Sequence, residues 1–392
     1  MHWSTLKEVR IAHIADCHLR NAQYGSTVRG LKFLEGLKSA IAECARNNVQ
    51  YIICAGDMLD SNNPGPAVVN WQLAEVHSYL KELDLAMIVT VGNHDNCSPS
   101  WLTPYEYVGN SDIMEPGLHL LRTPGVQLDY DTWPCCINVG AIEYCSKEEF
   151  LEESDRIRRH AGEQDILIWH GEIQEFCGFP NPNAIRLDEI PKGLCQVLAM
   201  GHIHVHKHVW LGTDTVVAYP GSTEMASEDE EDQKKLYVYT FTGDDARIAK
   251  LTNVESLPFA TQKVMRCTIK TEEDLVEAVE RIKTGSNMLC YIRYEKTLHD
   301  AVQRLTEAVS DADTLLRLTP MMPDRFNVHT MSREAVVRGP AEFFEANAED
   351  LIHDPDVRNR VSGLCKTLLT PGTNVREALN EFCDERLQTV TL

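Results

Sequence analysis

Five short polar segments, each closing an apolar run, hold most of the side chains in this 392-residue chain that could do chemistry. In order they are Asp16-Cys17-His18, Gly56-Asp57, Gly92-Asn93-His94-Asp95, His170-Gly171-Glu172 and Gly201-His202-Ile203-His204. They offer carboxylates (Asp16, Asp57), a carboxamide (Asn93) and five imidazoles (His18, His94, His170, His202, His204). Mixed oxygen and nitrogen donors of this kind suit a pair of first-row divalent ions, and no single ion could use them all. Residues i and i+2 of an extended segment point the same way, so Asp16 with His18, and His202 with His204, each aim two donors at one spot. A carboxylate can bridge two cations, and Asp57 is the natural bridge. Asn93 is a neutral oxygen donor, and His170 completes the nitrogens. The imidazole of His94, directly after Asn93 on a turn, would point away from it, towards a substrate. A general acid that protonates a departing oxygen is the role the ions leave unfilled.

The runs before these segments, 9–15, 51–55, 85–91, 165–169 and 197–200, read as buried strands. Functional side chains often sit on loops at strand ends. Leu31, Leu34, Leu37, Ile41 and Cys44 recur at helical spacing, and Asn47-Asn48 ends that helix. A second helix is predicted over 67–83. The order βαβαβ implies parallel strands with right-handed crossovers. Beyond Met200 the texture becomes antiparallel, with strands within 204–219 and at 235–241. The acidic run 228–232 between them is expected to be a solvated turn.

The expected fold class is α/β (α+β): a two-sheet β-sandwich core flanked by helices, a small α+β cap and a helical tail. A break near Pro258 closes the core, 1–258. Strand, helix, strand, helix, strand follow in 259–320, with Leu298, Val302, Leu305 and Val309 striping the second helix. In 321–392 a Met- and Pro-rich linker leads into two helical stripes, one of Val357, Val361, Leu364 and Leu368, the other of Val375, Leu379 and Phe382. A hairpin of that size cannot bury its own apolar faces, so it should dock on something.

Composition agrees with a soluble, cytoplasmic enzyme. The hydrophobic fraction is 43% and the mean hydropathy −0.28. No apolar run approaches the roughly 20 residues of a membrane span, and the N-terminus has no signal-peptide core. None of the 13 cysteines forms a CxxC pair, so reduced buried thiols are expected rather than a zinc ribbon or disulfides. The net charge of −22, spread over both halves, is awkward for a nucleic-acid partner, because phosphate backbones favour basic surfaces.

In this order the five motifs resemble those of the calcineurin-like metallophosphoesterase superfamily. The run Tyr219-Pro220-Gly221-Ser222-Thr223-Glu224, the small α+β domain and the helical tail narrow the resemblance to the SbcD-type nuclease, partner of an SbcC-type coiled-coil ATPase in double-strand-break processing. The resemblance implies one manganese held by Asp16, His18, Asp57 and His204. The second would be held by Asp57, Asn93, His170 and His202, with His94 catalytic and not a ligand. It implies a manganese-dependent nuclease acting on DNA, of 3′–5′ double-strand exonuclease and single-strand endonuclease type. The C-terminal helices would bind the ATPase, and helices at 67–83 and 101–107 would build a homodimer, with no membrane partner. Asp60 matches a position behind the ligands, and Cys17 fills the variable place of DxH with its thiol turned into the core. His206 and His208 extend GHIH; alternation puts them on the face of His202 and His204, and a solvated strand is expected there. The competing readings are a small-substrate phosphodiesterase or phosphatase of the same superfamily, and a non-enzymatic assembly subunit, whose signature would be a lost ligand.

Overall fold

The structure, a computed structural model, describes residues 8–321 except 98–99, 107–114, 123–125, 130–135, 179, 244–248, 286 and 309–313. All of the described residues except Met321 fall in one compact unit, Met1–Pro320. The helical stripes predicted for the tail lie outside the described residues.

Strict alternation of side chains builds the core. The first sheet holds β1 (Glu8–Ile14), β2 (Tyr51–Cys54), β3 (Ala86–Val89) and β4 (Gly117–Leu120). The second holds β5 (Val126–Asp129), β6 (Cys136–Ile142), β7 (Gln164–His170), β8 (Cys195–Gly201), β9 (Lys207–Leu211) and β10 (Thr215–Tyr219). The chain then returns to the first sheet as β11 (Lys235–Gly243) and β12 (Ala249–Pro258), giving the orders β12-β11-β1-β2-β3-β4 and β5-β6-β7-β8-β10-β9. Val9, Ile11, Ile53 and Ile88 of one sheet meet Val139, Ile166, Ile168, Val197 and Val216 of the other in a shared apolar layer. The alternate residues, Ala12, Ile14, Ile52, Cys54, Met87 and Val89, face outward onto α1 (Thr27–Arg46) and α2 (Leu73–Glu82). On the far side Leu167, Trp169, Leu198 and Met200 pack on Phe150 and Ile157 of α3 (Lys147–Ala161). Two sheets face to face with a helical layer outside each is the α/β sandwich expected. The second helix is predicted as one α-helix but opens with a π-turn over Val68–Gln72.

Strands β1, β2 and β3 run parallel, as do β7 and β8. Their C-terminal ends carry all five motifs. After Pro258 comes a separate parallel sheet, β13 (Lys263–Ile269), β14 (Met288–Tyr294) and β15 (Leu315–Pro320), crossed by α4 (Glu272–Thr284) and α5 (His299–Ala308). Its Ile269, Cys290 and Ile292 bury against Ala278, Ile282, Val302 and Leu305 of those helices. Its other face meets the core through Met225, Leu289 and Tyr291. Buried Arg29 ties the two together, donating to Glu224 Oε1 at 3.0 Å and Gln262 Oε1 at 2.9 Å. Among the described residues no helix is long and apolar enough to cross a membrane.

Candidate metal centre

The loops that leave the parallel strands turn sharply, and the turning residues are the predicted donors themselves. Asp16, His18, Asp57 and His202 all have positive φ, of 53°, 47°, 50° and 97°. Such backbone costs of order 1–3 kcal/mol per residue in non-glycine positions and persists where surrounding contacts enforce it. The contacts are present. The Met58, Leu59 and Gly92 amides donate to the buried Asp95 carboxylate at 3.1, 2.8 and 3.0 Å, clamping the second motif to the third. The His202 amide donates to Asp16 Oδ1 at 3.0 Å, joining the fifth motif to the first. Gly92 and Gly201 are required by close approach: a Cβ would strike Asp57 at the first and the Ala55 carbonyl at the second.

The structure brings every predicted donor to one place. Asp16, His18 and His204 offer ligand atoms within 4.8 Å of one another, as do Asp57, His170 and His202. Asn93 Oδ1 lies 2.9 Å from His170 Nε2 and 3.0 Å from His202 Nδ1. Asp57 stands between the halves, its Oδ2 at 3.4 Å from His170 Nε2 and 3.9 Å from His18 Nε2. His94 is also within the 4.8 Å limit of His18 and Asp57, so proximity alone does not separate it from the ligands. It is the most exposed of them, with 41% of its side chain exposed, against 26% for His202 and His204 and 0–4% for His18, Asp57 and His170. Its Nδ1 donates to the Asp60 carbonyl at 2.6 Å, which leaves Nε2 facing the centre.

Hydrogen bonds fix which nitrogen of His170, His202 and His204 is available, while the buried Nδ1 of His18 makes none. His170 donates through Nδ1 to the Ala55 carbonyl at 2.8 Å. His202 donates through Nε2 to Glu172 at 2.8 Å, and His204 through Nδ1 to Glu230 at 2.7 Å. A neutral ring that donates from one nitrogen presents a lone pair on the other. The inward pair His170 Nε2 and His202 Nδ1 are thus 3.3 Å apart, and His18 Nε2 and His204 Nε2 3.1 Å apart. Two lone pairs cannot face at such distances without a positive charge between them, a proton or a metal ion, and the two carboxylates favour that charge. That donor set fits a pair of divalent cations. The titration behaviour carries the same sign. Burial works against a charged His170, but the Asp57 and Asp16 carboxylates outweigh it and push its pKa up to about 9. Burial likewise opposes ionisation of Asp57, and the hydrogen bond and charge of His170, with His18, hold its carboxyl below the usual range. Burial, helped by His204, drives His18 well below the ordinary imidazole value.

Several functional neighbours were given no role from the sequence. Glu172 and Glu230 each hold a ligand-type imidazole, and only Glu172 lay inside a recognised motif. Tyr219 braces the fourth motif, donating to the Gly171 carbonyl at 2.9 Å and accepting from the Ile173 amide at 3.0 Å. Two expectations need correcting. The 228–232 run is not simply a solvated turn, because the Glu230 side chain is only 5% exposed. His206 and His208 do not share a face with His202 and His204, since β9 begins only at Lys207 and His202 has left extended geometry. His206 instead stacks on Tyr237 at 4.2 Å and bonds the Pro220 carbonyl, and His208 bonds the Tyr237 hydroxyl. Cys17 is fully buried, its sulfur 3.8 Å from that of Cys54. Asp60 lies behind His18, its Oδ1 3.7 Å from Nδ1, and pairs with Arg20.

A family model for the calcineurin-like phosphoesterases matches residues 9–206, and the chain belongs to that family. The fold of that family implies a dinuclear metal site, and the residues gathered here supply candidates for it. The chain is similar to the DNA double-strand break repair protein Mre11 of Methanosarcina acetivorans, 26% identical over 66% of this chain and 41% of that protein. It is similar also to the Mre11 of Haloferax volcanii, 25% identical over 95% of this chain and 74% of that one. The chain therefore spans less than two thirds of the Methanosarcina relative's length. A solved dimetal phosphatase from Danio rerio superposes with a TM-score of 0.41 at 12% identity, covering 64% of this chain and 99% of that chain.

Proposed function

We propose that this chain is a manganese-dependent DNA nuclease, the nuclease subunit of an SbcCD-like repair and recombination complex. The observation that carries the reading is the convergence of all seven predicted donors, with His94 on the open side, at the C-terminal ends of β1, β2, β3, β7 and β8. Asp16, His18, Asp57 and His204 would hold one ion, and Asp57, Asn93, His170 and His202 the other. Two such ions would supply charge neutralisation for a phosphodiester and a water of lowered pKa, towards ~7, and Asp57 is the residue that would contact both. His94, with Nδ1 committed to the Asp60 carbonyl, presents Nε2 to donate a proton to the departing oxygen. Likeness to Mre11 proteins supports DNA as the substrate, cut as a 3′–5′ double-strand exonuclease and single-strand endonuclease. In this reading 1–258 is the catalytic domain, 259–320 a cap, and 321–392 the linker and helices that dock on a coiled-coil ATPase. The protein works inside the cell, as a homodimer.

The net charge of −22 favours a second reading, a phosphodiesterase of small substrates. Purification with a coiled-coil ATPase, followed by a manganese-dependent assay on linear duplex DNA, separates the two. ATP-dependent degradation supports the nuclease. Turnover of small phosphodiesters with intact DNA supports the alternative.

A further inference from the structure

Glu230 belongs to the most acidic run in the described chain, yet its carboxylate is buried and every oxygen is engaged. Oε1 accepts from His204 Nδ1 at 2.7 Å and from the Ser227 amide at 3.1 Å. Oε2 accepts from Lys234 Nζ and the Ser222 hydroxyl, both at 2.6 Å, and from the Ala226 amide at 3.2 Å. Lys234, 4% exposed, balances its charge. A carboxylate pinned from both sides leaves His204 a single comfortable orientation, with Nδ1–H outward and Nε2 turned into the metal centre.

The same run is gripped from its other side by the third sheet. Arg266 of β13 donates from Nη2 to the carbonyls of Glu228 and Glu230, at 2.8 and 2.9 Å, and from Nε to Glu228 again at 3.1 Å. Its Nη1 pairs with Asp232. Arg293 of β14 donates to Glu228 Oε1 at 3.0 Å. Arg266 lies opposite Tyr291 in the parallel register, so Arg293, two residues on, shares its face of the sheet. That face is the one turned to the core. Five backbone and side-chain contacts from two arginines are far more than a solvated turn requires.

We propose that residues 228–232 form a strap between the third sheet and the metal centre, in which Glu230 is a positioning residue for His204 and Arg266 holds the strap in place. The inference rests on His204 being a metal ligand, as under the proposed function. Its consequence is asymmetric: the strap supports the ion held with Asp16 and His18, while the ion held by Asn93, His170 and His202 depends on Glu172 and Ala55 instead.

The test is equilibrium dialysis of the full chain against Mn2+, resolving two affinities, for the wild type, Glu230→Gln and Arg266→Ala. Removing a carboxylate behind a ligating imidazole weakens metal binding by about 10–100-fold. Glu230→Gln is expected to weaken one ion by that factor and leave the other unchanged, with Arg266→Ala weakening the same ion less. Loss of both ions together in Glu230→Gln would make the strap a folding element and overturn the proposal, as would wild-type affinities. Wild-type binding in Arg266→Ala would overturn the link to the third sheet. A wild type that binds fewer than two ions would instead refute the dinuclear reading itself.

Discussion

Asp57 and His94 sit on adjacent loops, joined by the His94 amide donating to Asp57 Oδ1 at 2.9 Å, yet the chemistry asks opposite things of them. Asp57 is buried between two sets of candidate donors, and in the proposed site removing its charge would leave two cations facing each other unscreened. Asp57→Ala is expected to release both ions. His94→Ala is expected to keep both and lose turnover by 10²–10⁴-fold, the usual worth of a general acid. Elemental analysis beside a phosphodiesterase assay checks the pair, and metal loss in His94→Ala equal to that in Asp57→Ala would cancel the assignment. His13 is the contrasting histidine. It is fully buried between the sheets, bonded to the Tyr239 hydroxyl and the Met200 carbonyl, and burial lowers its pKa from 6.5 to about 3. The unfolded chain binds this proton first, so His13's contribution is complete above pH 6.5 and is lost as the pH falls from there towards 3. The slope is at most about 1.4 kcal/mol per pH unit. His13→Gln should flatten that acid limb in urea unfolding; an unchanged slope would show that other groups set it.

At the scale of elements, the ends of β2 and β8 approach so closely that Gly201 has no room for a side chain. Gly201→Ala forces the Ala55 carbonyl aside, and that carbonyl is the acceptor that orients His170. The expected cost is about 1–3 kcal/mol, as for overpacking elsewhere, together with weakened binding of the ion held by His170. Thermal unfolding and Mn2+ titration measure the two effects, and a stable variant with normal affinity would show that the strand ends can part. The joint between α1 and the third sheet depends on Arg29 and Glu224, each 1% exposed. Arg29→Met leaves a carboxylate buried without its cation, and breaking such a pair costs about 3–5 kcal/mol. A shift in urea midpoint well below that range would mean that the Gln262 and Met225 amides, which also donate to Glu224, do most of the holding.

For the whole molecule, the acidic balance and the apolar tail bear on one another. The stripes at Val357, Val361, Leu364 and Leu368 and at Val375, Leu379 and Phe382 lie outside the described residues, so the expectation rests on sequence. Leu364→Glu with Phe382→Glu should cost several kcal/mol of binding to a coiled-coil ATPase, since such grooves are anchored by a few apolar side chains. ATP-dependent cutting of duplex DNA should fail, while hydrolysis of a small phosphodiester survives. The partner would then supply the basic surface that a chain of net charge −22 lacks. Tight, salt-sensitive DNA binding by the isolated chain, unchanged by deleting the tail, would sink that account.

The sequence by itself determined the layered core and which polar side chains gather at its strand ends. Period-two alternation in the strands and helical spacing at Leu34, Leu37 and Ile41 assign each residue to a face, and every motif falls where a buried strand must end. These are local properties, legible because the hydrophobic effect acts on patterns within a dozen residues. Residues 228–232 show the limit. Five acidic side chains in a row look solvated by composition, and only the tertiary structure brings Lys234, Ser222, His204 and Arg266 around Glu230. His206 failed for a related reason, because alternation holds only while the backbone stays extended and the turn at His202 resets it. Which nitrogen of each imidazole faces the centre was likewise decided by partners such as Ala55, 115 residues away from His170 in the chain. Residue types set what chemistry is available, and long-range hydrogen bonds, which no local pattern encodes, set its orientation.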